Sequence, residues 1–347
     1  MNHKETGEPR RYRGVVESPG EIRLDRYAAE CLGLLSRSQI KARVVEARVN
    51  GRTARLSRPL RAGDVLELRW LPEAPVFLEP ENLPLSIIYE DRRCVAVNKA
   101  QGMVVHPGAG NPSGTLANAL LWRRLYIHGE NGPDGSGGPG ESGPGESGGP
   151  PEYPRYAPRT GIVHRLDRDT SGVIAAAYDD GALAFLSAQF KNRTARKRYL
   201  ALVRGTPPEN AGTIHTRLGR SPRNRKLFSV LPPGGRDGKT ALTGYRVLKT
   251  WGDYSLLLLL PRTGRTHQIR VHLRFLGCPV LGDPLYGKTD PRFPAATLML
   301  HASGLSLVLP NGNALPLPPD CSGSPVCFRA PAPDRFKAII RALNKGR

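Results

Sequence analysis

The sequence predicts an α+β protein: a mixed, largely antiparallel β-sheet domain preceded by a small ααβ unit. Three observations carry this. Beyond residue 85, apolar runs of strand length outnumber helical patterns and do not alternate with them as a doubly wound sheet requires. Residues 21–70 hold two helical patterns followed by two hairpin signals. Between them, the Pro/Glu-rich stretch 71–84 reads as a linker.

In chain order, residues 1–20 form a basic leader expected to be disordered. Leu24, Tyr27, Ala28, Cys31 and Leu35 fall at helical spacing, and Ser36 with Gln39 makes a capping box that opens a second helix through Val44. Asn50-Gly51 is a type I′ hairpin signal, and Gly63-Asp64 turns the chain into the alternating segment VLELRW. The main domain, expected over 85–325, begins with strands SIIYE and CVAVNK, a glycine-rich loop GMVVHPGAG and a helix TLANALLWRRL.

Residues 129–157, with the tandem repeat GPGES, are expected to be a disordered insertion. Within it, GESGGP imitates a serine-protease nucleophile signature, but a flexible repeat cannot hold a serine rigidly beside a base and oxyanion donors. From Thr160 the pattern gives a loop around Asp167, a strand VIAAAY, a helix near 181–192, strands KRYLALVRG and YSLLLLLP, and a helix in TGRTHQIRVHLRFLG that Thr266 caps and Gly277 ends. Residues 326–347 read as a basic C-terminal segment.

Lys and Arg outnumber Asp and Glu by 51 to 30 in 347 residues, a net charge of +21 that calls for a polyanionic partner. Cys31, Cys94, Cys278, Cys321 and Cys327 contain no C-x-x-C pair, so neither a disulfide framework nor a cysteine zinc site is indicated. His267 and His272, five apart, do not share a helical face as a metal pair would. No phosphate-cradling glycine loop of the nucleotide-binding kinds occurs, and no cofactor is expected. The N-terminal residues lack the apolar stretch of a signal peptide and no run approaches membrane-spanning length, so a cytoplasmic protein, without membrane partners and monomeric, is expected.

HRLDRDTSG, residues 164–172, sets Asp167 between Arg165 and Arg168. A guanidinium within about 4 Å favours an ionised carboxylate by roughly 4 kcal/mol at an effective dielectric near 20. Such an aspartate suits the role of nucleophile, base or ion-pair partner better than that of proton donor.

The segments NKAQGMVVHPG, HRLDRDTSG, RKRYLALVRG and LLPRTGRTHQIRVHLRFLGCPVLGDPLYG together resemble the RluA-type family of RNA pseudouridine synthases over about residues 20–310, the insertion excepted. The stretches RLDRYAAE, SRSQIKARVVEARVNGR and LRAGDVLELRW resemble the small RNA-binding domain named after ribosomal protein S-four. One departure is Ala100, where the family reads proline. The resemblance implies the pseudouridine synthase fold and isomerisation of uridine in RNA: the glycosidic bond breaks, the uracil rotates, and the sugar is rejoined through carbon 5.

It further implies that Asp167 is the catalytic aspartate and that Tyr199 stacks on the flipped uracil. Arg270 is the chosen guanidinium partner of Asp167, with Arg265 its competitor. Arg165 would fill the space the nucleotide leaves, His164 would shape the same loop, and Thr170, Ser171 and Gly172 would form the turn that presents Asp167. Arg37, Lys41 and Arg48 suit phosphate contacts that set affinity rather than sequence choice. The expected substrate is large-subunit ribosomal RNA, with ribosome precursor particles as partners. Transfer RNA as substrate, and a non-catalytic RNA-binding or ribosome-assembly role, are the alternatives.

Overall fold

The computed structural model describes residues 8–17, 20–72, 78–108, 110–127, 161–224, 227–232, 238–310 and 324–345; the expected insertion 129–157 lies outside them. The described chain divides at Leu78 into two compact units.

In the first unit, β1 (Arg10–Val15) is followed by β2 (Ile22–Arg23), α1 (Leu24–Arg26), α2 (Arg37–Arg43), β3 (Val44–Val49), β4 (Arg52–Thr53), β5 (Pro59–Leu60) and β6 (Val65–Trp70). The antiparallel sheet runs β1-β6-β3-β4. Strand β1 corrects the expectation of a disordered leader: RRYRGV is too charged to read as a buried strand, but at the sheet edge its arginines face water and deter further pairing. Helix α1 passes into a π turn at Tyr27–Cys31. That turn breaks the expected single face, so Leu24, Tyr27 and Ala28 are buried while Cys31 is exposed. The capping box of Ser36 and Gln39 forms as expected. Asn50 and Gly51 take φ of 52° and 76°, the left-handed pair a type I′ turn requires. In β6 every second residue, Leu66, Leu68 and Trp70, is buried.

The second unit contains β7 (Ser86–Glu90), β8 (Cys94–Lys99), α3 (Leu116–Tyr126), β9 (Ser171–Ala177), α4 (Asp180–Lys191), β10 (Arg196–Arg204), β11 (Ala211–Arg220), β12 (Phe228–Val230), β13 (Lys239–Trp251), β14 (Tyr254–Pro261), α5 (Gln268–Phe275), β15 (Leu300–Leu307), β16 (Val326–Arg329) and α6 (Asp334–Lys345). One sheet runs β12-β11-β13-β14-β10-β15-β9-β8-β7, with β16 on β15. Its described ladders are antiparallel except β9 with β15, which bears out the mixed, largely antiparallel prediction.

Helices cover both faces of this sheet. Val173, Ala175 and Ala177 of β9 pack with Ala182 and Leu186 of α4, while Ile174 and Ala176 pack in the cluster that holds Leu116 and Leu120 of α3. A strand buried on both sides must be largely apolar, and SGVIAAA is so beyond Ser171, whose buried hydroxyl is hydrogen-bonded. Phe336, Ile339 and Leu343 of α6 enter the same core as α3, at the three- and four-residue spacing of one helical face. The supposed basic tail is therefore part of the main domain; Lys337, Arg341 and Lys345 are exposed, while Arg335 turns inward. Residues 79–81 likewise do not behave as linker: Asn118 Nδ2 donates to the Glu79 carbonyl at 2.8 Å, and the Glu81 carboxylate accepts from Gly114 N at 2.9 Å.

Candidate active site

Asp167 sits in the loop 161–170 that leads into β9. Leu166 is buried beside it, and Thr170 N donates to the Asp167 carbonyl at 3.1 Å to close the turn. Lys99, fully buried at the end of β8, holds the loop from below. Its Nζ donates to the carbonyls of Ala100, Met103 and Arg168 at 2.8, 2.8 and 3.0 Å, so all three N–H groups are used. Burial lowers its pKa to about 8 against the opposing pull of Asp169 and Asp167. At position 100 only the carbonyl is needed, which alanine supplies as well as proline.

Beyond the turn, Ser171 Oγ bonds His301 Nδ1 at 2.8 Å and accepts from Arg335 Nη2 at 2.7 Å, which ties α6 to the loop. Gly172 has φ 115°, and a Cβ there would run into the Ala302 carbonyl oxygen. Only glycine lets β9 and β15 approach so closely.

Opposite this loop, α5 presents Arg270. Its Nη1 lies 3.3 Å from Asp167 Oδ2, while Nε and Nη2 each lie 2.7 Å from the two oxygens of buried Asp283. Burial opposes the Arg270 charge, but the hydrogen bonds and charge of Asp283, then Asp167, overcome it and the pKa is raised. Asp283 Oδ1 also accepts from the amides of Leu285 and Tyr286 at 2.9 and 3.0 Å. The Tyr286 ring lies under the guanidinium, 5.1 Å from its centre.

The residue at the start of α5 is His267, not Thr266 as expected. It adopts φ 54° and offers no side-chain cap. Gln268 instead ties the preceding loop to the helix: its Oε1 accepts from Arg265 N at 3.0 Å and from the Thr263 hydroxyl at 2.7 Å. The His267 ring is thereby free to turn toward Asp167, with Nε2 3.9 Å from Oδ2 and Nδ1 2.8 Å from the Tyr286 hydroxyl. Burial lowers its pKa, with Arg270 and Arg165 adding to the effect against Asp167.

Tyr199 on β10 completes the site, 9% exposed. Burial, then the nearby Asp167 charge, raises the pKa of its phenol. A cleft of about 440 Å³ is lined by Arg165, Asp167, Tyr199, His267, Arg270 and Leu300, among others, which is room for a nucleobase.

Not every expected residue behaves as its sequence position suggests. Arg165 and Arg168 do not cage Asp167: Arg165 lies exposed along the cleft, and Arg168 faces Asp169 at 3.6 Å. The reason is the sharp turn, which sends adjacent side chains in different directions. His164 lines the cleft wall but is bound inward, its Nε2 accepting from Ala175 N at 3.0 Å and its ring stacked on Phe190. Burial, then Lys197, lowers its pKa to about 3, so it is neutral. Arg265 also lines the cleft, but its Nε donates to the Thr240 carbonyl at 3.1 Å and Asp167 pairs with Arg270. Both ring nitrogens of His272 are occupied by the hydroxyls of Thr243 and Thr216, at 2.9 and 3.0 Å.

In the first unit, Arg37 pairs with buried Asp25 of the neighbouring helix at 3.0 Å, and Arg48 with Glu46, two residues away on the same face of β3, at 2.7 Å. Lys41 is exposed and lines a groove with Arg23, Arg55 and Arg69.

Asp283 and Tyr286 were missed. Their segment, GDPLYG, carries a turn signal, and the Asx turn at Asp283 does form; nothing in it announces that the same carboxylate also grips Arg270. In the sequence His267 stands out only beside His272, as a candidate metal ligand. Its signal was a histidine where a helix start favours Ser, Thr, Asp or Asn.

The chain is similar to known proteins over most of its length. The family model described as RNA pseudouridylate synthase matches residues 93–275. A Chloroflexus aurantiacus protein named as an RNA pseudouridine synthase is 43% identical over 338 residues, covering 96% of this chain and 94% of that one. The ribosomal large subunit pseudouridine synthase D of Borreliella burgdorferi is 39% identical over 295 residues, covering 82% of each. In fold, the chain is similar to human RNA pseudouridylate synthase domain containing 4, with a TM-score of 0.53 at 23% identity, over 75% of this chain and 93% of that one. The match over more than half the chain, together with near-full-length relatives above 30% identity, places this protein in the RluA-type family of RNA pseudouridine synthases, isomerases that act on RNA.

Proposed function

We propose that this enzyme isomerises uridines of large-subunit ribosomal RNA and that Asp167, Tyr199 and Arg270 are its catalytic residues. The observation that carries the residue assignment is their convergence on one cleft from a loop, a strand and a helix that lie far apart in sequence. The ribosomal substrate is supported by relatives named ribosomal large subunit pseudouridine synthase D in Borreliella burgdorferi and Xanthomonas campestris, 39% and 34% identical.

The reaction breaks the bond from ribose carbon 1′ to N1 and joins carbon 1′ to carbon 5; carbon 5 gives up a proton and N1 gains one. A carboxylate at the ribose serves either by attacking carbon 1′ or by removing a ribose proton. Arg270, locked by Asp283, holds that carboxylate in place without capturing both its oxygens. The Tyr199 phenol, its pKa raised, is a poor base in the free protein, so its role is to stack on the everted base. Arg165, exposed at the cleft, suits the space left by the flipped nucleotide. In the first unit, Lys41 and the arginines of its groove suit RNA phosphates.

The test is Asp167→Asn. It is expected to bind large-subunit ribosomal RNA like the wild type and to form no pseudouridine, while RNA from cells lacking the protein loses specific pseudouridines in that subunit. Loss confined to transfer RNA would overturn the substrate, and full activity of Asp167→Asn would overturn the assignment.

A further inference from the structure

The cleft holds more positive charge than its carboxylate can balance. Asp167 is the one acidic side chain among its described lining residues, and Arg270 is already committed to it and to Asp283. Arg165, Lys191, Arg193, Lys197, Arg262 and Arg265 line the same cleft, and none of them pairs with a carboxylate among the described residues. Unbalanced cations gathered on one wall repel each other and raise the local concentration of anions.

Two lysines, Lys99 fully buried and Lys197 half-buried, show which of these is built to receive a ligand. Lys99 gives all three donors to backbone carbonyls and has none to spare. Lys197 gives one, to the Thr263 carbonyl at 3.2 Å, and so keeps two for the cleft. Half-burial strips part of the water from this ammonium, which is unfavourable for its charge, as the lowering of its pKa to about 8 by burial reflects. An anion in the cleft would restore what burial removed.

Position identifies the anion. Lys197 and Tyr199 lie two residues apart on β10, so their side chains leave the same face of the strand about 7 Å apart. Exposed Lys191 and Arg193, at the end of α4, line the same cleft. A base stacked on Tyr199 would bring the RNA backbone within reach of these cations. A uracil carbonyl could accept from Lys197, but being neutral it would leave the cluster unbalanced.

We propose that Lys197, with Arg193 and Lys191, forms a phosphate-binding subsite that holds the RNA backbone beside the everted uridine. This rests on the reading that Asp167 and Tyr199 act on such a nucleotide. The site fixes the strand's position and contributes affinity without reading sequence.

The test uses the full chain and a ribosomal RNA fragment on which the wild type forms pseudouridine, with the target nucleotide intact or replaced by an abasic ribose. Wild type, Lys197→Met and Arg193→Asn are titrated between about 50 and 200 mM salt. Asparagine tolerates the left-handed φ of 62° at position 193, and the site is exposed, so this variant decides the matter if Lys197→Met does not fold. In the expected result the slope of log affinity against log salt becomes shallower by about 0.7 for each lost contact, on both RNAs, and KM rises more than kcat falls.

Wild-type slopes in the variants would overturn the subsite, as would a Lys197→Met defect that disappears on the abasic RNA, which would assign the lysine to uracil. These failures leave pseudouridine formation by the wild type intact. Full activity of Asp167→Asn would instead overturn the underlying reading, whatever the slopes.

Discussion

Replacing Asp283 by asparagine should cost this enzyme both stability and rate, through Arg270. The Arg270 guanidinium is 6% exposed and Asp283 is fully buried, with two hydrogen bonds of 2.7 Å between them. At an effective dielectric near 20, unit charges at 2.7 Å attract by about 6 kcal/mol, and at the 3.3 Å separating Arg270 from Asp167 by about 5 kcal/mol. The guanidinium is thus held chiefly by Asp283, through two short bonds, and reaches Asp167 through one longer contact.

Asparagine keeps the shape but removes the charge, and its amide N–H groups oppose those of the arginine. Leaving a buried charge without its partner costs about 3–5 kcal/mol, which in a unit of this size lowers Tm by roughly 6–20 °C. Arg270 is then drawn onto Asp167, and the carboxylate loses the oxygen it needs free. Single-turnover pseudouridine formation at saturating RNA should fall at least tenfold while RNA affinity changes less than about twofold, since about 1.4 kcal/mol in the barrier suffices for a factor of ten.

A double-mutant cycle with Arg270→Met isolates the cause. If the pair is the reason, the double variant recovers about 2–3 kcal/mol of stability relative to the sum of the single changes. An Asp283→Asn variant that melts with the wild type, or stability losses that add within about 0.5 kcal/mol, would refute the reasoning.

Two further changes test the supports of each unit. Lys99→Met leaves the carbonyls of Ala100, Met103 and Arg168 without a donor, and at about 1–3 kcal/mol for each unpaired group it should abolish activity; an active, wild-type-stable variant by thermal melting would deny Lys99 its role in holding the Asp167 loop. In the first unit, burial pushes the Asp25 pKa up, but hydrogen bonds from Arg23 and Arg37 outweigh it and the pKa is lowered. Its stabilisation is therefore complete above the unfolded value near 3.9 and is lost as pH falls toward the folded one. Hydrogen-exchange protection of β3 and β6 amides should weaken below about pH 4 in the wild type and less so in Asp25→Asn, and equal acid sensitivity of the two would contradict this.

What the sequence determined by itself was local in origin. Strands β7, β8 and β14 occupy the residues their apolar runs predicted, and the Ser36 capping box and the Asn50-Gly51 hairpin formed where their residues stood. Each depends on neighbours within a few positions, so spacing alone records it. The helix predicted from Leu24 forms as α1 and the π turn that continues it to Cys31, shorter than its spacing suggested and with Cys31 exposed. Strand β1 and helix α6 were hidden by their own charge, since their apolar anchors are few and their role depends on the surface they meet.

The electrostatics of the site were decided by tertiary structure. Of the arginines near Asp167 in sequence, Arg165 lies exposed along the cleft and Arg168 faces Asp169, and the one that pairs with Asp167 lies 103 residues distant, held by Asp283, 13 residues further on. Lys99 reaches a carbonyl 69 residues away. Charge interacts through space and not along the chain, so spacing cannot record which carboxylate a given guanidinium meets; only the packing of loop, strand and helix around one cleft sets those distances.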